Sequence, residues 1–255
     1  GISLGRYVMK HTFLRRLTAF IFPPLCRVCN ERQRVYSPRL PRVLCPDCMD
    51  RWQEEKAQSC SLCGKVHTDC RCIPQNLKES GCDTLVHLTY YLSHHKTAAA
   101  ALVLRCKDYN DREAFGFLAQ ELYDALQPTL QTMSDEDLCV TFVPRRRAAV
   151  QAKGHDHAKQ IAAMLAREGQ LPCAVLLRRK RNTQQQKELG AAERERNAAK
   201  SFEMEPDAQV AGKTVILIDD ICTTGSSLSS CASLLLAAGA RRVVCAVIAK
   251  TERAQ

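Results

Sequence analysis

The stretch Val215–Ser227, VILIDDICTTGSS, constrains the fold of this chain more than any other. Four apolar residues, Val215–Ile218, run directly into two carboxylates, Asp219 and Asp220. Thr223, Thr224, Gly225, Ser226 and Ser227 follow, and then Leu228, Cys231, Leu234 and Leu235 recur at helical spacing. The pattern predicts a buried strand, a tight loop and a helix start. A helix start with small residues in its turn exposes unpaired backbone N–H groups, which bind phosphate. The acidic pair falls at the strand end, where open α/β sheets bind their ligands. Carboxylates repel phosphate but accept hydrogen bonds from vicinal sugar hydroxyls. A phosphate cradle beside two hydroxyl acceptors describes a site for a ribose 5-phosphate.

The remaining C-terminal sequence alternates strands and helices. Asp83–Leu92 reads as a strand, His94–Lys107 and Ala114–Leu126 as helices, and Leu138–Val143 as a short buried strand. A helix over Gln160–Glu168, a short strand over Ala174–Leu177, a loop over Arg178–Leu189, a charged helix over Ala191–Lys200 and a last strand over Arg241–Ala249 complete it. This order predicts an α/β fold with a mostly parallel sheet flanked by helices. The strand end at Val143-Pro144 leads into Arg145, Arg146 and Arg147, a second loop suited to anionic ligands. His155 and His157 read as exposed residues of the first turn of the following helix. Cys222 reads as a space-filling residue, although a nearby helix N-terminus can lower a thiol pKa.

Fifteen cysteines set the front of the chain apart. Eight fall in pairs: Cys26 and Cys29, Cys45 and Cys48, Cys60 and Cys63, Cys70 and Cys72. Three of the pairs have two residues between the cysteines, which is zinc-knuckle spacing, and Cys70 and Cys72 have one; four pairs make two sites of four thiolates each. We assign Cys26, Cys29, Cys45 and Cys48 to one Zn2+ and Cys60, Cys63, Cys70 and Cys72 to the other. Crossed pairing is the rival, as is His67 replacing one late cysteine. Four coordinating thiolates leave no open position, so both sites read as structural. The expected organisation is an N-terminal helix over 1–22, a double zinc ribbon over 23–73, a linker over 74–81 and an α/β domain over 82–255. No signal peptide, transmembrane-length run or secreted disulfide pattern is visible, which points to a cytoplasmic protein with reduced thiols and no membrane span. The net charge is +10, and residues 145–200 concentrate it, with 14 basic and 5 acidic side chains. Aromatics make up only 5% of the chain, so stacking on bases is poorly supported.

VILIDDICTTGSS resembles the 5-phosphoribosyl-1-pyrophosphate (PRPP) motif of type I phosphoribosyltransferases at Asp219, Asp220, Thr223, Thr224, Gly225 and Ser227. From Pro24 to about Lys250, the layout resembles the ComF family, which pairs a double zinc ribbon with a type I phosphoribosyltransferase domain. LRCKDYND (Leu104–Asp111), VPRRR (Val143–Arg147), Gln184 or Gln185, Arg194 and Asn197 carry that resemblance, whereas Lys153–His157 replaces the family's usual Arg-Gly-Phe-Asn-Gln block. The resemblance implies PRPP binding with Mg2+. Asp219 and Asp220 would take the ribose hydroxyls, Thr223, Thr224, Gly225, Ser226 and Ser227 the 5-phosphate, and Arg145 and Arg146 the pyrophosphate. It also implies a link to competence, with single-stranded DNA or the DNA-uptake machinery as a partner. Thr223 stands where purine-base members often have a further acid, which removes an obvious general base. A PRPP-sensing scaffold without turnover is the third reading.

Overall fold

A computed structural model of the protein describes residues 23–33, 43–91, 97–133, 137–180 and 201–251. Its centre is a four-stranded parallel sheet of β1 (Thr84–Tyr91), β2 (Leu138–Phe142), β5 (Thr214–Cys222) and β6 (Arg242–Thr251), in the order β1-β6-β5-β2. The two central strands are the most continuously apolar, because both their faces are covered. Val243–Ala249 are all buried, and so are Val215–Ile218. A single parallel bridge from Val140 to Cys173 adds the chain beyond β2. A separate antiparallel ribbon pairs β3 (Leu177–Arg179) with β4 (Phe202–Met204).

Side-chain alternation along β5 divides the interior into two layers. Ile216 and Ile218 join a core with α3 (Ala98–Tyr109), α4 (Arg112–Gln131) and α6 (His157–Glu168). Val215 and Leu217 join a second core with α7 (Ser226–Ala237) and the β3–β4 ribbon. Local signals begin and end these helices. Thr97 caps α3 by accepting from Ala100 N, and Asn110 stops it in the left-handed region at φ 49°. Asp111 then caps α4, and Asp156 caps α6.

Among the described residues, the strands and helices expected from periodicity are present apart from the differences below and from β4, which was not expected. The expected linker contains α2 (Gln75–Glu79). The Arg145–Arg147 loop passes at once into α5 (Arg147–Lys153), a helix too short and polar to show a period. The strand expected over 174–177 is absent as such: Cys173 makes an isolated bridge just before it, Leu177 begins β3, and Arg178 and Arg179 belong to β3 rather than to a loop. α1 (Pro46–Lys56) lies inside the cysteine-rich segment, started by proline at its first position. The expected helices over 4–22 and 191–200, and Gln184, Gln185, Arg194 and Asn197, lie outside the described residues.

Candidate functional site

β5 leads to β6 on one side of the sheet, while β2 leads to the Cys173 bridge on the other. The strand order therefore reverses between β2 and β5, and a crevice opens there beyond the strand ends. Both chemical loops of the sequence meet at that crevice. Phe142 pairs with Ile218, and Val143 N donates to Ile218 O at 2.9 Å, so Pro144–Arg147 lies beside Asp219–Cys222.

After β5 the loop turns on Gly225, whose φ of 78° favours glycine, and α7 begins at Ser226. Thr223–Ser227 thus curl around the start of α7. Thr224 Oγ1 lies 2.8 Å from Ser226 Oγ, and Thr251 Oγ1 donates to Thr223 O at 2.9 Å. Cys222 is buried, and burial together with the charge of Asp219 pushes its thiol up to about 12. It therefore fills space and does not supply a thiolate.

The acidic pair splits across the sheet, because neighbouring strand residues point to opposite faces. Asp220 turns to the α3–α6 side. Lys107 Nζ lies 2.8 Å from its Oδ2, His157 Nε2 2.6 Å, and an Arg145 guanidinium nitrogen 3.7 Å. Burial opposes its ionisation, but His157 and Lys107 outweigh that and hold its pKa below the usual carboxylate range. The His157 contact is close but misaligned, and neither His157 Nε2 nor Asp220 Oδ2 has a hydrogen bond of good geometry. Asp219 turns to the α7 side. Its surface is not fully closed, yet it lies deep in the protein mass, where burial and then the Asp220 charge push its carboxyl well above the usual range. Asp220 is thus already faced by cations, whereas burial and the neighbouring Asp220 charge oppose ionisation of Asp219.

Arg145 is half-exposed at the crevice, and its backbone N–H reaches Asp156 Oδ2 at 3.3 Å; Arg146 and Arg147 are exposed. A cavity of about 660 Å³ runs from Arg145 and Arg147 past Lys159 to Arg178 and Arg179, with Glu203 and Glu205 on its rim. Arg179 stacks over Phe202 at 4.8 Å, and its buried Nε has no hydrogen-bond partner. Three site residues were missed in the sequence. His155 and His157 are buried, not exposed. His155 Nε2 lies 2.6 Å from Cys106 O, and His157 sits against Asp220. Lys107 ends an alanine-rich helix, and no local pattern ties it to β5.

The eight paired cysteines fall into two groups. The sulfurs of Cys26, Cys29, Cys45 and Cys48 all lie within 4.8 Å of one another, and so do those of Cys60, Cys63, Cys70 and Cys72. A tetrahedral Zn2+ with bonds of about 2.3 Å sets its sulfurs roughly 3.8 Å apart. Cys29 and Cys45 sulfurs are 3.7 Å apart, and Cys63 and Cys70 sulfurs 3.8 Å, so both groups fit the ion. Sequential pairing is the one present. His67 is turned away, with Nδ1 2.6 Å from Lys56 O. The two knuckles are built alike. Each hairpin closes on one antiparallel bridge, Leu25 to Arg32 and Ser59 to Val66, with a left-handed residue, Asn30 or Gly64, directly after its second cysteine.

A parallel sheet carrying an acid pair and a helix N-terminus at its switch point narrows the relatives to be expected. Residues 148–255 match the family model of the phosphoribosyl transferase domain. The chain therefore carries a phosphoribosyltransferase-type domain beside two cysteine groups that can bind zinc. Similar solved structures include a purine phosphoribosyltransferase from Pyrococcus horikoshii Ot3, at 15% identity over 53% of this chain and 84% of that one, TM-score 0.33. An adenine phosphoribosyltransferase from Thermoanaerobacter pseudethanolicus gives 17%, 56%, 83% and 0.35 in the same order. An orotate phosphoribosyltransferase from Aeropyrum pernix gives 19%, 56%, 62% and 0.33. No curated protein matches the chain. Among the described residues, no helix is long and apolar enough to cross a membrane.

Proposed function

We propose that the C-terminal domain binds PRPP, or another ribose 5-phosphate, with Mg2+, as a protein of the ComF kind. The observation that carries this reading is the convergence at one switch point of the acid pair, the Thr223–Ser227 turn and the Arg145 loop. Backbone N–H groups of Thr224–Ser227 receive the 5-phosphate. Asp219 and Asp220 accept from the ribose hydroxyls. Arg145 lies nearest the pyrophosphate, and Arg146 and Arg179 add positive charge. Asp219 and Asp220 are the carboxylates placed to hold Mg2+ with PRPP, where it would neutralise charge on the polyphosphate. Such preorganised cations favour loss of pyrophosphate from C1 of the ribose, because the negative charge develops where they already point.

Titration calorimetry with Mg-PRPP tests the reading. Binding is expected in the wild type and lost, by about 100-fold or more, in Asp219→Ala and Asp220→Ala, since each removes charge-assisted hydrogen bonds. Tight binding indifferent to both substitutions would sink it. Asp219 also gives a pH signature. Its raised pKa leaves a proton that Mg-PRPP must displace, so affinity rises with pH and binding releases a proton into the buffer. Binding heats that do not depend on the buffer's ionisation enthalpy would contradict this assignment.

A further inference from the structure

The segment that leaves the second cysteine group is bonded directly to the candidate phosphate loop. Cys72 is a sulfur ligand of that group, and its carbonyl accepts from Lys250 Nζ. Lys250 is buried and stands opposite Cys222 in the β5–β6 register. Four residues after Cys72, Asn76 Nδ2 donates to Thr224 O at 3.0 Å and reaches Ser226 Oγ at 3.5 Å. Ser229 Oγ on α7 returns a bond to Asn76 O at 2.8 Å. Gly225 makes this approach possible, because a Cβ there would lie 3.0 Å from Asn76 Oδ1 and from the Pro74 ring. The turn is therefore closed on its outer side by residues 74–76, which the sequence marks only as a linker.

We infer that Asn76 is a positioning residue of the ribose-phosphate site, and that metal in the Cys60–Cys63–Cys70–Cys72 group makes the Thr223–Ser227 turn competent to bind phosphate. This rests on the ribose-phosphate reading of that turn. Backbone N–H groups bind an anion well only if their directions are set before it arrives, because reorganising them on binding weakens affinity. Thr224 O is held by Asn76 Nδ2, and Thr223 O by Thr251. The Asn76 strut is itself anchored at Cys72, so a metal-bound cysteine group fixes one end and α7 the other. Among the described residues, the bonds of Arg27 in the first cysteine group run to α3 and to the start of α4 and not to the turn.

The test uses the zinc-loaded full chain, with ribose 5-phosphate and pyrophosphate as separate probes. Asn76→Ala is expected to weaken ribose 5-phosphate about tenfold, the effect of one well-made hydrogen bond, and to leave pyrophosphate unchanged. Ser229→Ala, which leaves the turn's own residues intact, is expected to weaken it by about threefold. Cys63→Ser, with one zinc per chain and unchanged Trp52 fluorescence, is expected to lose ribose 5-phosphate as Asn76→Ala does. Equal ribose 5-phosphate affinity in wild type and Asn76→Ala overturns the positioning role. An equal loss toward both probes also overturns it, because that marks general loosening. Full affinity in Cys63→Ser overturns the metal link. A wild type that binds neither probe overturns the underlying reading of the site.

Discussion

The two cysteine groups share a knuckle design but sit in different surroundings. The first is embedded in hydrophobic core. Cys26, Cys48 and Trp52 are buried in the same layer as Phe115, Phe117 and Leu118 of α4, with Trp52 edge-on to Phe117 at 5.6 Å. Its polar contacts secure the helices. Glu55 accepts from Ala98 N and Ala99 N at the start of α3, and Arg27 pairs with Asp111 and Glu113 at the start of α4. The second group has a small apolar patch of its own, Cys60, Cys70 and Tyr90, and its exit segment contacts the phosphate turn. The same local chemistry thus sits in the hydrophobic core in one place and leads to the Thr223–Ser227 turn in the other. What differs is the partner surface, and ligand spacing carries no information about that.

The comparison can be broken at several points, and the largest effect is expected at Trp52. Trp52→Ala leaves a cavity in the shared core and removes the Nε1 bond to Glu121. It should destabilise the fold by about 4 kcal/mol in denaturant titrations, while the folded fraction keeps its affinity for ribose 5-phosphate. Lost affinity at unchanged stability would reverse the roles given to the two regions.

A smaller effect is expected at His87, beside the second group. Its side chain is buried, neither ring nitrogen has a hydrogen-bond partner, and burial, then the Lys250 charge, lowers its pKa to about 3. The unfolded chain takes up a proton near pH 6.5 that the folded chain refuses until about pH 3. Stability from this group is complete above pH 6.5 and falls as pH drops toward 3. Between pH 7 and pH 5, wild type should lose roughly 2 kcal/mol more than His87→Leu at saturating zinc. Parallel profiles for the two proteins would show that His87 does not govern this slope. The smallest effect belongs to Arg27→Ala, which removes partly exposed ion pairs at the first group. About 1 kcal/mol is expected, shrinking with added salt. A larger, salt-independent loss would make Arg27 part of the metal site rather than a brace between knuckle and helix.

Legibility in the sequence followed how local each signal was. The β5 run, its acid pair and the small-residue turn lie within thirteen residues, so strand, loop and helix start could be read together. Cysteine spacing showed four pairs, three of them at knuckle spacing, but left their partnering open, because crossed and sequential pairing use the same pairs. The histidines were misjudged for a similar reason. His155 and His157 follow Gly154 in a polar run, and only the packing of α6 against α4, β2 and β5, with His155 set against Cys106 and Phe115, buries them. Arg179 read as part of a loop, and only the pairing of β3 with β4 sets it over Phe202.

The sequence alone was enough for a parallel α/β sheet, a strand-loop-helix with an acid pair and a small-residue turn, and four cysteine pairs able to bind zinc. All of these rest on hydrophobic period, turn chemistry and short ligand spacing, which act over a few residues. Only the tertiary structure decided that the acid pair splits across the sheet, that Lys107 and His157 hold Asp220, and that Asn76 closes the phosphate turn. Lys107 and His157 are 113 and 63 residues from Asp220 along the chain, and Asn76 is 148 from Thr224. Contacts of that separation are set by which faces the sheet buries together, and no local pattern encodes that.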